Sequence, residues 1–310
     1  MTKPGQGSGP EASASDAMQL FYDPAYAMAD TDFDTTRKAA WVADSLVGEP
    51  VPGLEIASPR PLTAGEIATV HDPEYVEAVR TGEPPALAGS NGIGWDPALF
   101  DAVAASNGGV VAAAMWALEH GGATGSLSSG LHHAKARRGD GFCTFNGLAL
   151  AARRVLGARD ARILVLDLDA HCGGGTHELL GDDPHVVGLD VAVDAFDHYR
   201  PAAPWSLDLV SHAADYLPTI ERRLDALQAE AFDLVLYNAG MDPYEGCHVG
   251  GLPGIVHEIL AARERLVFGR ARAADWPIAF VLAGGYAASP EGRRNLVALH
   301  RETILAAVAR

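Results

Sequence analysis

The stretch ILVLDLDAHCGGGT, residues 163–176, decides the fold and carries the most unusual side chains of the chain. Its first four residues are a continuous apolar run, typical of a strand buried on both faces of a parallel sheet. Asp167, Asp169 and His171 follow at intervals of two. Because residues two apart on an extended segment point the same way, Asp169 and His171 can converge on one point. Open α/β sheets bind ligands at the carboxyl ends of their strands, so we expect a divalent metal site there.

Composition favours one globular domain. The chain has 310 residues, of which 48% are hydrophobic and 20% charged, and no Pro/Gly/Ser-rich linker interrupts its interior. Residues 1–16 are polar and lack the apolar segment of a signal peptide, so we predict a disordered N-terminal tail. The folded domain is expected to span residues 17–310.

Charge and cysteine content exclude several classes of partner. The net charge of −17 argues against nucleic acid and is compatible with a cationic substrate, although it also serves solubility. No apolar run approaches the roughly 20 residues of a membrane span. The three cysteines, Cys143, Cys172 and Cys247, are odd in number and widely separated, which indicates free thiols in a reducing compartment. We therefore expect a soluble cytoplasmic protein without a membrane partner.

Apolar strands alternate with helical segments along the chain, which predicts an α/β fold with a mostly parallel central sheet and helices on both faces. Strands at 163–166, 234–237 and 278–282 run into the polar or glycine-rich loops DLDAHCGGG, NAGMDP and AGGY. Parallel strands bring these loops to one edge of the sheet. Residues 62–80 are predicted as a single helix capped by Thr63, and residues 82–97 as a rim loop.

A catalytic zinc ion typically has three protein ligands and one open position. Asp169 and His171 supply two ligands, and Asp242, just after a buried strand, is the natural third, although a lone aspartate there is more often a turn residue or helix cap. Two carboxylates would balance the charge of the ion and leave it able to polarise a carbonyl. Asp167 is better placed to orient a histidine. Cys172 points away from its neighbour His171 and is predicted to pack.

The adjacent pair His132–His133 precedes a flexible GDGF loop, and adjacent imidazoles can act as acid and base over one substrate. On the residues alone, catalysis and a structural role are about equally supported. Tyr286 follows two glycines at a strand end, where its hydroxyl can donate to a developing oxyanion. A tight turn with a packed tyrosine explains the same pattern.

Together these segments make the chain resemble the histone deacetylase superfamily, which includes acetylpolyamine amidohydrolases and shares the arginase-like α/β fold. The resemblance runs in chain order from residue 18 to the end. It rests on VHDPEYVEAV near Val70, GLHHA at 130–134, GFCTFN at 141–146, DLDAH at 167–171, AGMD at 239–242, GGL at 250–252 and AGGY at 283–286. Each segment is weak alone, and seven in the family's order form a strong signal for a deacetylase-like catalytic domain over 17–310.

The resemblance implies a role for each matching residue. Zinc would be held by Asp169, His171 and Asp242. His133 would be the general base and later the acid for the leaving amine, and His132 would be tuned by its buried partner Asp167. Tyr286 would stabilise the oxyanion. Gly141 and Phe142 would line a narrow substrate tunnel, with Val249 in its wall and Asp96 at its rim, and a structural potassium ion (K+) would lie near Asp167.

The chain departs from the family at HCGGG, where relatives read HHGNG or HHGDG. Cys172 stands in place of a histidine, and Gly174 in place of the Asn or Asp that orients the second catalytic histidine. His133 then needs an orienting partner from water, the backbone or another residue. Loss of such a partner typically costs about 10–100-fold in metal-site function, which predicts a weaker or differently tuned enzyme.

The expected function is zinc-dependent removal of an acyl group, acetyl in the first instance, from an acyl-lysine or an acylated polyamine. A non-catalytic acyl-lysine binding module with the same fold is the alternative that the Gly174 change allows. An arginase-like manganese ureohydrolase is disfavoured, because it needs further carboxylates after His171, where the chain has Cys172 and Gly173. The sequence does not indicate the oligomeric state.

Overall fold

The computed structural model describes residues 17–30 and 34–309, so the predicted disordered tail at 1–16 lies outside the described residues. Within these ranges the chain forms one eight-stranded, entirely parallel sheet with the strand order β2-β1-β3-β8-β7-β4-β5-β6. The strands are β1 Met18–Phe21, β2 Leu54–Ala57, β3 Ala123–Ser126, β4 Ile163–Asp167, β5 Val186–Ala192, β6 Trp205–Leu209, β7 Leu234–Asn238 and β8 Ile278–Val281.

Ten α-helices connect these strands in the described part of the chain. They are α1 Lys38–Gly48, α2 Ala64–Ile67, α3 Pro73–Thr81, α4 Pro85–Ala88, α5 Leu99–His120, α6 Gly147–Leu156, α7 Gly174–Leu180, α8 Ala213–Leu227, α9 His257–Ala273 and α10 Pro290–Val308. Strands that run parallel need such crossovers, and a central strand covered on both faces has no polar side.

Alternation along β4 divides the interior into two cores. Leu164 and Leu166 belong to a cluster that includes residues of α1, α8, α9 and α10, whereas Ile163 and Val165 belong to a cluster with α3, α5 and α6. Successive side chains of a strand point to opposite faces, so each cluster covers one face of the sheet. The predicted α/β fold, with helices on both faces of a parallel sheet, is confirmed.

The predicted single helix over residues 62–80 is wrong, because the structure contains two helices there, α2 and α3. The Thr63 cap is present: its hydroxyl accepts from the backbone N–H of Glu66, and the Glu66 carboxylate accepts in return from the N–H of Thr63. The helix stops after one turn, and Asp72 caps a new helix that opens at Pro73. Proline lacks the N–H that a continuous helix requires, which explains the break.

The strands β2, β3 and β6 and the short helix α7 were not predicted. Each of these strands is only four or five residues long, and β3 reads ATGS, without the apolar run of a central strand. Helix α7 begins in the glycine triplet at 173–175, where glycine lowers helix propensity. Tertiary packing, rather than local preference, forms these elements.

Helix α5 is apolar and long enough to cross a membrane by length and composition alone. Within its most apolar stretch, however, 61% of the residues are buried inside the fold, which is typical of the core helix of a globular domain. The buried residues of α5 include two glycines, Gly108 and Gly109. A side chain at Gly109 would collide with Tyr26, so the close packing depends on glycine.

The central strands β8, β7, β4 and β5 are neighbours, and their carboxyl ends meet at one edge. In register, Asp167 lies between Asn238 and Asp190. Arg263 of α9 supports this edge from below, since its fully buried guanidinium donates to the carbonyl oxygen of Leu168 at 3.0 Å. The loops that the sequence singled out are therefore brought together.

Candidate metal centre and active site

Three predicted ligands converge at the carboxyl end of β4 and β7. One donor atom each from Asp169, His171 and Asp242 lies within 4.8 Å of the others, and all three residues are buried. His171 Nδ1 lies 3.1 Å from Asp169 Oδ1 and 3.2 Å from Asp242 Oδ2. No well-directed hydrogen bond reaches Oδ2 of Asp242. Two buried carboxylates, one of which has an oxygen without a well-directed hydrogen bond, and an imidazole therefore fit a divalent cation.

Electrostatics at the cluster also favour a cation. Burial, followed by the charge of Asp169, raises the pKa of Asp242 to about 6. Burial opposes protonation of His171, but the close carboxylates of Asp169 and Asp242 raise its pKa to about 11. Two adjacent carboxylates in a dry site repel each other, and a dication relieves this repulsion.

Backbone amides and glycines hold the two carboxylates in place. Gly284 N–H donates to Asp169 Oδ2 at 2.6 Å, and Ala170 N–H donates to Asp242 Oδ1 at 2.9 Å. A Cβ atom at Gly240 would lie 2.7 Å from Asp169 Oδ2 and 2.9 Å from Asp242 Oδ1. A Cβ atom at Gly284 would overlap both carboxylates. The glycines of the NAGMDP and AGGY loops therefore make room for the cluster.

His132 has the partner that the family resemblance implies. Its Nδ1–H donates to Asp167 Oδ2 at 2.8 Å, and the other oxygen of Asp167 accepts from the Asn238 amide at 2.8 Å. Burial alone would lower the pKa of His132, but Asp167 and Asp169 raise it to about 10. Asp167 is thus hydrogen-bonded to His132 and lies outside the cluster of Asp169, His171 and Asp242. Its role in orienting the imidazole for catalysis stays a prediction.

His133 also has a carboxylate partner, which the sequence did not reveal. Its ring centroid lies 3.9 Å from that of His132, and its Nδ1–H donates to Asp197 Oδ2 at 3.0 Å. Burial, followed by the charge of His132, lowers the pKa of His133 to about 4. Asp197 follows β5 and is 64 residues away in the chain. Of the three sources considered for the missing partner, the structure therefore supplies another residue.

An open cleft of about 400 Å³ leads from the surface to His133 and His171. Gly141, Phe142, Val249 and Tyr286 line it, together with Phe196, which the sequence did not single out. Gly141 and Phe142 both have positive φ angles, and a Cβ atom at 141 would lie 2.5 Å from the His133 ring. Burial, followed by the charge of Asp242, raises the pKa of the Tyr286 phenol, so its proton stays on the oxygen.

Asp96 is not among the residues that line this cleft. Its carboxylate accepts from the backbone N–H of Ala98 at 2.8 Å, at the entrance to α5. The role of Asp96 in gripping the substrate therefore stays a prediction. The potassium ion near Asp167 also stays a prediction. The Asp190 carboxylate lies beside Asp167, and its pKa is raised by burial and by the charge of Asp167.

A second cavity, of about 100 Å³, is lined by both histidines and shares Phe142 and Tyr286 with the cleft. Its wall includes Lys38, which no sequence motif marks and whose buried ammonium donates to the carbonyl oxygen of Ala283. Burial lowers the pKa of Lys38 to about 8. Cys172 is fully buried, as expected for a packing role, and its thiol contacts the carbonyl oxygen of Asp194.

A parallel sheet with a buried Asp–His–Asp cluster below two histidines defines an α/β protein with a candidate catalytic metal centre. The chain belongs to the histone deacetylase family: the family model described as "Histone deacetylase domain" matches residues 33–300. This membership identifies a deacetylase of the hydrolase class.

Relatives and solved structures agree with the family. An uncharacterized protein of Picosynechococcus is 36% identical over 70% of this chain and 74% of its own length. Histone deacetylase 2 of Arabidopsis thaliana is 34% identical over 58% of this chain, but over only 48% of its own length. The acetylpolyamine aminohydrolase of Burkholderia pseudomallei has the same fold, with a TM-score of 0.77 and 22% identity over 94% of this chain and 99% of that structure. The HDA15 HD domain also has a TM-score of 0.77, with 19% identity over 94% and 90% of the two chains.

Proposed function

We propose that the protein is a zinc-dependent amidohydrolase that removes an acyl group, acetyl in the first instance, from a primary amine on a flexible chain. One observation carries the proposal: two adjacent imidazoles, each with its own carboxylate partner, lie beside the buried ligand cluster, and His133 and His171 line the same cleft. A general base, a proton donor and a metal centre within one cleft are the parts that amide hydrolysis needs.

Asp169, His171 and Asp242 would hold the zinc ion. Three protein ligands of mixed oxygen and nitrogen type leave one coordination position open, which is the arrangement of catalytic zinc. When bound, zinc supplies Lewis-acid chemistry, polarising an amide carbonyl and making a water molecule more acidic. The backbone amides of Ala170 and Gly284 would keep the two carboxylates in their ligating orientation.

The two histidines would have different roles. Because Nδ1 of His133 is committed to Asp197, its Nε2 is the nitrogen that remains to take a proton from the attacking water and return it to the leaving amine. A neutral imidazole is required for the first step, in agreement with the low pKa of His133. His132, held charged against Asp167, would stabilise negative charge in the transition state.

Tyr286 would donate its hydroxyl to the oxyanion of the tetrahedral intermediate. The phenol lines the same cleft as His133, and its raised pKa keeps the proton available as a hydrogen-bond donor. The aromatic rings of Phe142 and Phe196 are placed to pack against an aliphatic amine chain. An acyl-lysine and an acylated polyamine both fit these walls, and the net charge of −17 favours cationic molecules of either kind.

The test combines metal analysis with turnover assays on acetyl-lysine peptides and on acetylated putrescine or spermidine. About one zinc per chain together with release of acetate is the expected result. Replacement of an oxyanion donor typically lowers kcat by about 10²–10³, so Tyr286→Phe should do so while Tyr22→Phe, outside the cleft, does not. His133→Ala should abolish most turnover. Binding without turnover in the wild type, or two manganese ions per chain, would refute the proposal.

Cysteine usage and charge also bear on the cellular setting of the protein. The three cysteines are buried and free, which supports a reducing compartment and hence a cytoplasmic location. The acidic surface supports neither nucleic acid nor an anionic membrane as a partner. Partition of the protein between the soluble and membrane fractions of cells tests both points.

A further inference from the structure

Asp197 occupies the space in which a side chain at position 174 would have to lie. A Cβ atom on Gly174 would be 2.5 Å from Asp197 Oδ1 and 2.6 Å from its Cγ. The same carboxylate accepts from the backbone N–H of Gly175 at 3.0 Å, at the start of α7. The absence of a side chain at Gly174 therefore leaves the space that the Asp197 side chain occupies.

The two oxygens of Asp197 have separate partners. Oδ2 accepts from His133 Nδ1 and from Gly175 N–H, both at 3.0 Å, whereas Oδ1 receives the ammonium of Lys135. The side chains are 5% exposed for His133, 10% for Asp197 and 12% for Lys135, so little water competes for these bonds. Asp197 has a φ of +58°, in the left-handed region where aspartate and asparagine are the best tolerated residues after glycine.

The positive charge of Lys135 offsets the negative charge of the Asp197 carboxylate. Burial opposes ionisation of Asp197, but its hydrogen bonds to His133 and Lys135 lower its pKa below the ordinary value. A lone buried carboxylate would hold a proton on the neighbouring imidazole, and the ammonium offsets this attraction. The imidazole then has a firmly directed partner that carries little net charge.

We propose that Asp197 is the positioning residue for His133 and that Lys135 fixes the Asp197 carboxylate, so that this pair replaces the residue missing at Gly174. The inference rests on the proposed function, in which His133 transfers protons. Asp197 touches neither substrate nor the reacting atoms, since it acts through the far side of the His133 ring. The Lys135–Asp197–His133 array joins the loop after β5 to the loop that carries both histidines.

Steady-state kinetics separate positioning from a merely structural role. Asp197→Ala should lower kcat by about 10–100-fold, the usual effect of losing such a partner, and leave KM within about twofold. Asp197→Asn keeps an oxygen that accepts from Nδ1–H and tolerates the left-handed backbone, so it should restore about tenfold or more of the loss. Lys135→Met should lower kcat, whereas the matched control Arg137→Met, an exposed charge two residues away, should not.

Nuclear magnetic resonance with ¹⁵N-labelled histidine gives a readout that does not need activity. In the wild type, protected downfield Nδ1–H signals are expected from the buried His71 and from the adjacent pair, His132 first and His133 second. Asp197→Ala should remove only the second signal of the pair, and Asp197→Asn should retain it. Zinc content, together with the thermal midpoint of Asp197→Asn, should match the wild type, which shows that the metal centre and the fold are intact.

The outcomes are distinguishable. An unchanged kcat or an unchanged pair of signals in Asp197→Ala overturns the inference. So does a loss confined to KM, or equal losses in Asp197→Ala and Asp197→Asn. If the wild type hydrolyses no amide but the second signal depends on Asp197, the proposed function fails while the positioning of His133 by Asp197 stands.

Discussion

Protonation of His71 is expected to destabilise the fold at acid pH. This imidazole is 2% exposed, its Nδ1–H donates to the carbonyl oxygen of Lys135 at 2.9 Å, and its Nε2 accepts from the N–H of Asn146 at 2.9 Å. Both ring nitrogens are therefore satisfied only in the neutral form. The Asn146 side chain in turn donates to the carbonyl oxygen of His132 and to Thr176 Oγ1. His71 thus supports the loop that carries His132 and His133.

The magnitude follows from the pKa of His71, which burial lowers to about 4. In the unfolded chain an ordinary histidine has a pKa of about 6.5, so between pH 6.5 and pH 4 the unfolded state binds more protons. The stabilisation is present above pH 6.5 and is lost as the pH falls to 4. At about 1.4 kcal/mol per pH unit, the loss amounts to about 3 kcal/mol.

The assay is urea unfolding at pH 7 and pH 4 for the wild type and His71→Leu. The variant is less stable at pH 7, because the Lys135 carbonyl and the Asn146 N–H lose their partner. Between the two pH values, however, it should lose about 3 kcal/mol less than the wild type, since it cannot titrate. His212→Leu, at an exposed histidine, is the control and should follow the wild type. Equal losses in the wild type and His71→Leu would show that His71 does not titrate as argued.

Three further predictions concern the metal centre and its support. Gly284→Ala places a methyl group against both aspartate ligands and should lower zinc content, whereas Gly269→Ala, which meets nothing within 4 Å, should not. Arg263→Met leaves the fully buried Glu264 without its cation and should cost about 3–5 kcal/mol in urea unfolding, against less than about 0.5 kcal/mol for the exposed Arg265→Met. Removal of zinc by a chelator should abolish turnover and lower the thermal midpoint, and added zinc should restore both; retention of activity in metal-free protein would contradict the assignment.

The central strands and the ligand cluster were predictable because their signals are local. An unbroken apolar run such as Ile163–Leu166 indicates a strand covered on both faces, and the alternation after it places Asp169 and His171 on one side. The carboxyl ends of parallel strands meet at one edge, so topology makes Asp242 a candidate third ligand, although the local pattern alone favours a turn residue or helix cap. The break between α2 and α3 also has a local cause, the cap Asp72 followed by Pro73. The apolar pattern that continues through both helices hides this break in the sequence.

The partners of the buried charges were decided by tertiary structure. The sequence shows that Gly174 leaves His133 without its usual partner, yet nothing in VAVDAFDHY marks Asp197 as the replacement. Contact between residues 64 positions apart depends on how the loop after β5 folds back over α7, and loop geometry has no periodic signature. Lys38 is a similar case, since its burial against Ala283 joins segments 245 residues apart. The local sequence pattern determines which residues lie at the carboxyl ends of the central strands. Packing across the sheet determines the charge and the orientation of each of these side chains.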